Sequence, residues 1–121
     1  MSEVEQQLNG LELTIQEAKD KIERSEQLKR LEHNKDFKAL FLNGLMETDA
    51  VRQVMLLASP GLKAPGDGPI IARAGIESRI NMIGELYNWC RYVHIEAEGS
   101  RKALNDHEET RQELLAEQLE E

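Results

Sequence analysis

Three histidines and one cysteine are the side chains with the most obvious chemical potential in this chain. His33, His94 and His107 lie far apart in the sequence, and none belongs to an H-E-x-x-H helix or to a Cys/His pair with metal-ligand spacing. Cys90 has a base at helical spacing only in His94, and free cysteine is among the most buried residue types. We therefore favour a core thiol over a nucleophile. We predict no catalytic residue, no metal site, no cofactor and no enzymatic activity.

Two short clusters could bind ligands. The acidic stretch NDHEET, residues 105–110, could hold a cation, but one exposed helix face rarely presents convergent oxygen ligands, so we favour a solvated surface. Trp89, Tyr87 and Tyr92 surround Arg91 and could stack on nucleic-acid bases. Because the surrounding sequence is not basic, core and interface packing is the preferred interpretation.

The charge argues against a nucleic acid as the main ligand. The net charge is -8, from 15 basic and 23 acidic residues, whereas phosphate backbones are bound by clustered Lys and Arg. Residues 106–121 hold seven acids and one base, a net charge of -6. One cysteine allows no intrachain disulfide and favours a reducing compartment. With no long apolar run and no secretory signal pattern, we expect a soluble chain without a membrane partner.

The most regular pattern in the sequence lies in residues 1–33. Apolar positions recur there at alternating steps of four and three, the a/d pattern of a coiled coil. Ser25 continues this frame, and Leu28 and Leu31 follow it by steps of three, as a stammer would produce. We predict one helix whose exposed seam mediates self-association. The seam residues are Val4, Leu8, Leu11, Ile15, Ala18 and Ile22.

Residues 34–58 predict short apolar helices. Asn34 is expected to cap the first of them, and Asp36 suits the positive end of a helix dipole. Thr48 or Asp49 is expected to cap the next helix. The residues predicted to face inward from that helix are Val51, Val54, Met55 and Ala58.

A loop and a long helix complete the chain. Residues 59–69 contain all three prolines and three of the eight glycines, which predicts an irregular loop without the Walker pattern of a phosphate site. Residues 70–121 contain no proline and predict one long helix with an acidic end, which Gly99 and Ser100 could kink or restart. Its first part carries two apolar rows, so we expect it to contact two neighbours. The rows are Ile76, Ile80, Ile83, Tyr87 and Cys90, and Met82, Leu86, Trp89 and Val93.

These elements predict an all-α fold, a long antiparallel helical hairpin with coiled-coil-like arms. The short helices and the Pro/Gly loop form a compact knuckle that turns the chain. A two-helix hairpin buries little apolar surface against an ordering entropy of roughly 1–2 kcal/mol per residue, so we expect homo-oligomerisation or a larger protein partner. The predicted knuckle core is Phe37, Leu40, Phe41, Val51, Val54, Ile76, Ile80, Ile83, Leu86 and Trp89.

The central stretch of the sequence is similar to a known group of proteins. NKDFKALFLNGLMETDAVRQVMLLASPG, followed by IESRINMIGELYNW, resembles short coiled-coil proteins encoded among the virion genes of tailed bacteriophages. The resemblance covers roughly residues 33–95 and includes an Asn-x-Asp-Phe-Lys start, an Ala-Val-Arg-x-Val core and a Pro-ended loop. It implies a non-catalytic virion component of the head, portal or neck region, present in the host cytoplasm during assembly. It also implies a tight approach or helix break at Gly44.

The resemblance implies protein partners, either copies of this chain or a larger capsid, portal or tail protein. One alternative is an assembly factor, such as a scaffold or chaperone, that is absent from the mature particle. Another is an acidic regulator that blocks a partner by imitating nucleic acid. The only sequence support for a regulator is the charge of residues 106–121.

Overall fold

The fold is known from a computed structural model that describes residues 2–120. Nearly all of that range is helical, and it contains no strand, which confirms the all-α prediction. Met1 and Glu121, the outer ends of the predicted segments 1–33 and 70–121, lie outside the described residues. The elements are α1 (Glu3–Glu32), α2 (Lys35–Phe37), a π-helix (Lys38–Asp49), α3 (Ala50–Leu57), a 3₁₀ turn (Pro60–Lys63) and α4 (Asp67–Glu120).

The chain divides into two compact units. Residues 1–28 and 92–121 form one, termed the hairpin unit, and residues 29–91 form the other, termed the central unit. Their charges differ strongly, because the hairpin unit holds 16 acidic and 6 basic residues, a net charge of -10, and the central unit holds 7 and 9, a net charge of +2. The acidity of the protein therefore belongs to the hairpin unit alone.

The hairpin unit is an antiparallel pair of helical segments. Glu12 pairs with Arg111, and Glu26 pairs with Arg101. The residue number on α4 falls as the number on α1 rises, which only an antiparallel arrangement gives. The predicted long antiparallel hairpin is confirmed. α4 also continues through Gly99 without interruption, so the helix does not restart there.

Asn34 is the predicted cap that the structure confirms. Its side-chain oxygen accepts hydrogen bonds from the backbone N–H groups of Asp36 and Phe37, each at 3.0 Å, and so satisfies donors that the start of a helix leaves open. The second predicted cap is wrong, since Asp49 makes no side-chain capping bond. The reason is that the chain is already helical before Asp49, so no helix begins there.

The π-helix is the main departure from the expected fold. It runs for 12 residues, whereas most π-helical stretches are single turns inserted into α-helices. The Thr48 hydroxyl donates to the carbonyl of Asn43, five residues earlier, at 3.0 Å. At Gly44 a Cβ atom would lie 2.9 Å from the carbonyl oxygen of Ala39. This is the tight approach expected at Gly44, and it leaves no room for a side chain.

The side of α3 that was predicted to face inward is exposed to solvent. Val51 is 61%, Val54 53% and Met55 68% exposed, although all three were predicted to face inward. Gln53 and Leu57 on the opposite side are partly covered instead. A π-helical bond reaches one residue further than an α-helical bond, so each turn holds more residues and the following helix is rotated about its axis. The prediction is wrong because it assumed that the apolar side of this short helix packs against its own chain.

The buried residues of the central unit lie on α4. Half of the residues predicted for the knuckle core are exposed, so the prediction is wrong for them. Ile76 and Ile83 are buried. No residue of α2, the π-helix, α3 or the 3₁₀ turn is buried, because these short elements cover one another only partly. The half-buried members of the predicted core are Phe37, Ile80 and Leu86, and the exposed members are Leu40, Phe41, Val51, Val54 and Trp89.

The loop before α4 is shorter than predicted. Residues 59–69 were expected to be irregular throughout, but they contain the 3₁₀ turn and the first residues of α4. Gly66 has a φ of +116°, a conformation that side-chain-bearing residues rarely adopt, immediately before α4 begins at Asp67. Pro69 lies in the first turn of α4, where its missing N–H costs nothing.

Candidate functional site

The coiled-coil seam of α1 is covered by its own chain. Four seam residues, Val4, Leu8, Ile15 and Ala18, are buried in the single chain. The other two predicted seam residues, Leu11 and Ile22, are half-buried. The expectation of an exposed seam is wrong, because the antiparallel segment of α4 in the hairpin unit lies against it. Self-association through this seam stays a prediction.

A polar pair extends the seam where the apolar positions end. Ser25 has no exposed surface, and its Oγ lies 2.7 Å from Nδ1 of His94. A serine hydrogen-bonded to a histidine is also the arrangement of an activated nucleophile. Here no substrate atom can reach Oγ, because the serine is wholly covered. A polar pair inside a helical seam instead specifies which residues of the two helices lie opposite each other.

The sequence pattern identifies Ser25 as a seam residue but does not identify His94 as its partner. Ser25 stands at a seam position. Of the two leucines predicted to continue the seam after a phase shift, Leu28 is buried and Leu31 is 50% exposed, so the shifted seam extends to Leu28 only. His94 could be assigned as the partner of Ser25 only with knowledge of how residues 92–120 align with α1. No spacing rule in the sequence supplies that alignment.

The other histidines and the cysteine do not converge on a reactive site. His33 Nδ1 hydrogen-bonds the carbonyl of Lys29 at 2.7 Å. Cys90 is buried, as predicted for a core thiol, and burial with the nearby carboxylate of Glu32 raises the pKa of its thiol. Within residues 2–120, no group of three or more His, Cys, Asp or Glu side chains is placed to hold a metal ion.

The acidic and aromatic clusters of the sequence are surface features. In NDHEET, a carboxylate oxygen of Glu108 lies 3.7 Å from Nζ of Lys19, and the Lys19 side chain is 54% exposed. Tyr87 is 50% and Trp89 49% exposed, so neither is a core residue. The Arg91 guanidinium lies 5.9 Å from the centre of the Tyr87 ring, within cation–π range. The prediction of core packing for these aromatic side chains is wrong, and an interface role is left.

The hairpin unit carries a shallow groove of about 300 Å³ between its two helical segments. Small residues leave it open, and no atom lies within 4 Å of where a Cβ of Gly99 would be. Its polar lining mixes acidic and basic side chains, so the groove does not present a site for one class of ligand. The lining residues include Thr14, Glu17, Lys21, Glu96, Ser100 and His107.

Exposed apolar side chains concentrate in the central unit. Among residues 2–120, sixteen large apolar side chains are exposed and twelve of them belong to residues 29–91, and this uneven distribution distinguishes the central unit as the candidate site. The most regular part of this surface lies on α3 and is termed the α3 face. Its members, spaced to share one side of a helix, are Val51, Val54, Met55 and Ala58.

The opposite side of α3, with Gln53 and Leu57, is partly covered, and a hydrogen bond links it to α4. The side-chain oxygen of Gln53 accepts a hydrogen bond from Arg79 at 3.3 Å. At the start of the helix, Arg52 and Asp49 form an ion pair at 3.2 Å. α3 therefore exposes most of its large apolar side chains, while the side chain of Gln53 is partly covered. Such an arrangement leaves the α3 face free to contact another molecule.

Two further findings concern the chain as a whole. In the range that the structure describes, none of the helices has the length and the apolar character needed to span a bilayer. No protein-family model, curated protein or solved structure matches this chain.

Proposed function

We propose that this protein is a non-catalytic structural component of a tailed-phage virion, acting in the head, portal or neck region through helix-mediated contacts with other proteins. The resemblance of residues 33–95 to coiled-coil proteins encoded among phage virion genes is the reason for placing the protein in a tailed-phage particle. The structural support is the exposed apolar surface of the central unit, above all the α3 face. The proposal assigns that surface to contacts within the particle.

The α3 face is the observation that carries the proposal. Its three large side chains are each more than half exposed, and contiguous apolar surface of this kind marks sites of protein contact on soluble proteins. Val51 and Val54 are stiff β-branched residues, whereas Met55 is flexible and adapts to irregular surfaces. The combination suits a helix-sized apolar partner surface better than a small polar ligand.

The two units contribute differently under this proposal. The hairpin unit uses its seam internally and carries a net charge of -10, so it stays solvated and repels other acidic surfaces. The central unit carries a net charge of +2 and the exposed apolar side chains. Contacts with other virion proteins therefore fall to the central unit.

Quantitative mass spectrometry of purified virions and of proheads from the same infection tests the proposal. We expect the 13.8 kDa chain in mature particles, in an amount proportional to a known head or neck protein. Detection in proheads with loss from virions would overturn the structural role and identify an assembly factor. Absence from both kinds of particle would contradict any role in assembly. A non-virion protein of similar abundance controls for contamination.

A further inference from the structure

We propose that a second groove of the hairpin unit binds a basic amphipathic helix of another protein. This groove, termed the apolar groove, lies between α1 and the last part of α4 and has a volume of about 380 Å³. The site lies outside the central unit, so the inference goes beyond the proposed function and does not depend on it. The lining side chains are apolar or uncharged, and they are Gln7, Gly10, Leu11, Thr14, Thr110 and Leu114.

The seam between α1 and α4 is covered on one side and open on the other. Gly10 and Glu12 flank the seam residue Leu11, so they lie on opposite sides of it. The side of Glu12 is bridged by long charged side chains that recur on α1 every seven residues. The three ion pairs on that side are Glu12–Arg111, Lys19–Glu108 and Glu26–Arg101. The side of Gly10 carries the apolar groove, because glycine and threonine are too short to bridge the two helices.

The packing of this chain does not require glycine at position 10. Gly10 lies inside α1, where glycine is less favourable than alanine. No atom lies within 4 Å of where its Cβ would be. A helix seated in the apolar groove would approach this backbone closely, and a side chain at Gly10 would then be in its way. The glycine therefore fits a groove that another molecule occupies.

The geometry of the apolar groove suits a helix. Gln7 to Thr14 covers about 10 Å of α1 at 1.5 Å per residue, which is about two turns. A groove between two antiparallel helices accepts a third helix as a bundle does, with the apolar side of that helix in the groove. Leu11 and Leu114 are half-buried and offer apolar surface for that contact.

Charge selects a basic partner. Residues 3–18 hold four acids and no base, and residues 106–120 hold six acids and one base, a net charge of -9 for the two segments. The one base, Arg111, is paired with Glu12. An acidic helix or a phosphate group would be repelled, whereas Lys and Arg beside an apolar stripe would be attracted. Exposed acids within one turn of a lining residue include Glu3, Glu17, Glu113 and Glu117.

Calorimetric titration of the full-length protein with a synthetic peptide tests the proposal. The peptide has about 18 residues, with leucines on one side of the helix and lysines on the other. We expect a Kd below about 100 μM, and at least roughly tenfold weaker binding of a peptide with the same composition whose leucines are scattered around the helix. Failure to bind, or equal binding of the two peptides, would overturn the proposal.

Variants that fill the apolar groove locate the binding site. Gly10→Leu should weaken binding of the peptide at least roughly tenfold without lowering the melting temperature. Gly75→Leu, on the central unit and also with no atom within 4 Å of its Cβ, is the matched control and should bind like the wild type. Thr110→Leu fills the groove from α4 and covers the case in which Gly10→Leu alters the fold. Wild-type affinity in both groove variants would overturn the proposal.

Two further measurements separate the alternatives. Glu113→Lys/Glu117→Lys should weaken binding more than Glu77→Lys/Glu85→Lys, an exposed pair on the central unit that changes the net charge equally. Equal weakening would show a general charge attraction without a site in the groove. A wild type that sediments as a dimer and becomes monomeric in Gly10→Leu would assign the groove to a second copy instead.

Discussion

Ser25 and His94 form a hydrogen bond of 2.7 Å between Oγ and Nδ1 inside the seam of the hairpin unit. Their positions differ by 69 residues in the sequence. Apolar side chains on two helices can often slide by a turn and still pack, whereas a buried hydroxyl loses its partner in any other alignment. The pair thus favours the observed alignment of α1 and residues 92–120, together with the ion pairs Glu12–Arg111 and Glu26–Arg101.

Replacing Ser25 by alanine should lower the free energy of unfolding by about 1–2 kcal/mol, because the imidazole of His94 loses a buried hydrogen-bond partner. Urea denaturation followed by circular dichroism measures the change. Ser78→Ala, at an exposed position on α4, should stay within about 0.5 kcal/mol of the wild type. Equal effects of the two substitutions would show that the hydrogen bond does not stabilise the hairpin unit.

The antiparallel alignment of the hairpin unit predicts a salt-dependent charge effect. Glu12→Arg places a cation beside Arg111, so it should lower the melting temperature at low salt more than Glu23→Arg, an exposed position on the same helix. Both variants change the net charge equally. In 1 M salt, where the Debye length is about 3 Å, the difference should largely disappear. A difference that persists in high salt would indicate altered packing and not an ion pair.

Two glycines should respond in opposite directions to alanine. A Cβ at Gly44 would lie 2.9 Å from the Ala39 carbonyl oxygen, whereas no atom lies within 4 Å of a Cβ at Gly10. Gly44→Ala should therefore destabilise the protein by about 1–3 kcal/mol through overpacking of the π-helix. Gly10→Ala should stabilise it by about 0.8–1 kcal/mol through helix propensity. Thermal denaturation of both variants tests this, and stabilisation by Gly44→Ala would contradict the π-helical geometry.

The buried thiol should be chemically quiet in the folded protein. Iodoacetamide should alkylate Cys90 at least about a hundredfold more slowly in buffer at pH 8 than in denaturant, since modification requires local opening. Mass spectrometry of timed samples measures both rates. Rates within tenfold of each other would show that Cys90 is accessible and not a core residue.

Cys90 also predicts how stability changes at high pH. Burial, with a further effect of Glu32, raises the pKa of the thiol above its ordinary value near 9.0. The unfolded chain therefore loses this proton first as the pH rises, and the stability contributed by the neutral thiol is complete below pH 9 and declines above it. Between pH 8 and 10.5 the unfolding free energy of the wild type should fall more steeply than that of Cys90→Ala. Parallel slopes would contradict the shift.

The sequence was sufficient for features that depend on local chemistry and α-helical repeat. The four-three spacing from Val4 to Ile22 predicted the seam, and the short side chain of Asn34 predicted the cap. Proline and glycine placement predicted where α4 begins to within a few residues. These signals are local, since each depends on residues within a turn or two of one another.

Two features could not be predicted from the sequence. One is which side of each helix after Lys38 faces solvent, and the other is which residues far apart in the chain lie opposite each other. Val51 and Met55 are exposed on a helix that follows the π-helix, and no composition rule separates a long π-helix from an α-helix with the same residues. The pairing of Ser25 with His94 depends on contacts between segments far apart in the chain. Predicting the candidate site therefore failed at its orientation, although the residues of the apolar face were correctly grouped.

The π-helix also bears on how this protein can tolerate changes in length. Because each of its hydrogen bonds encloses one residue more than an α-helical bond, Lys38–Asp49 holds residues that an α-helix spanning the same distance would not require. A chain lacking one of them can keep the helices on either side hydrogen-bonded and present a different side of α3 to solvent. A one-residue deletion within Lys38–Asp49 is therefore expected to convert part of the π-helix to α-helix and to rotate α3 about its axis.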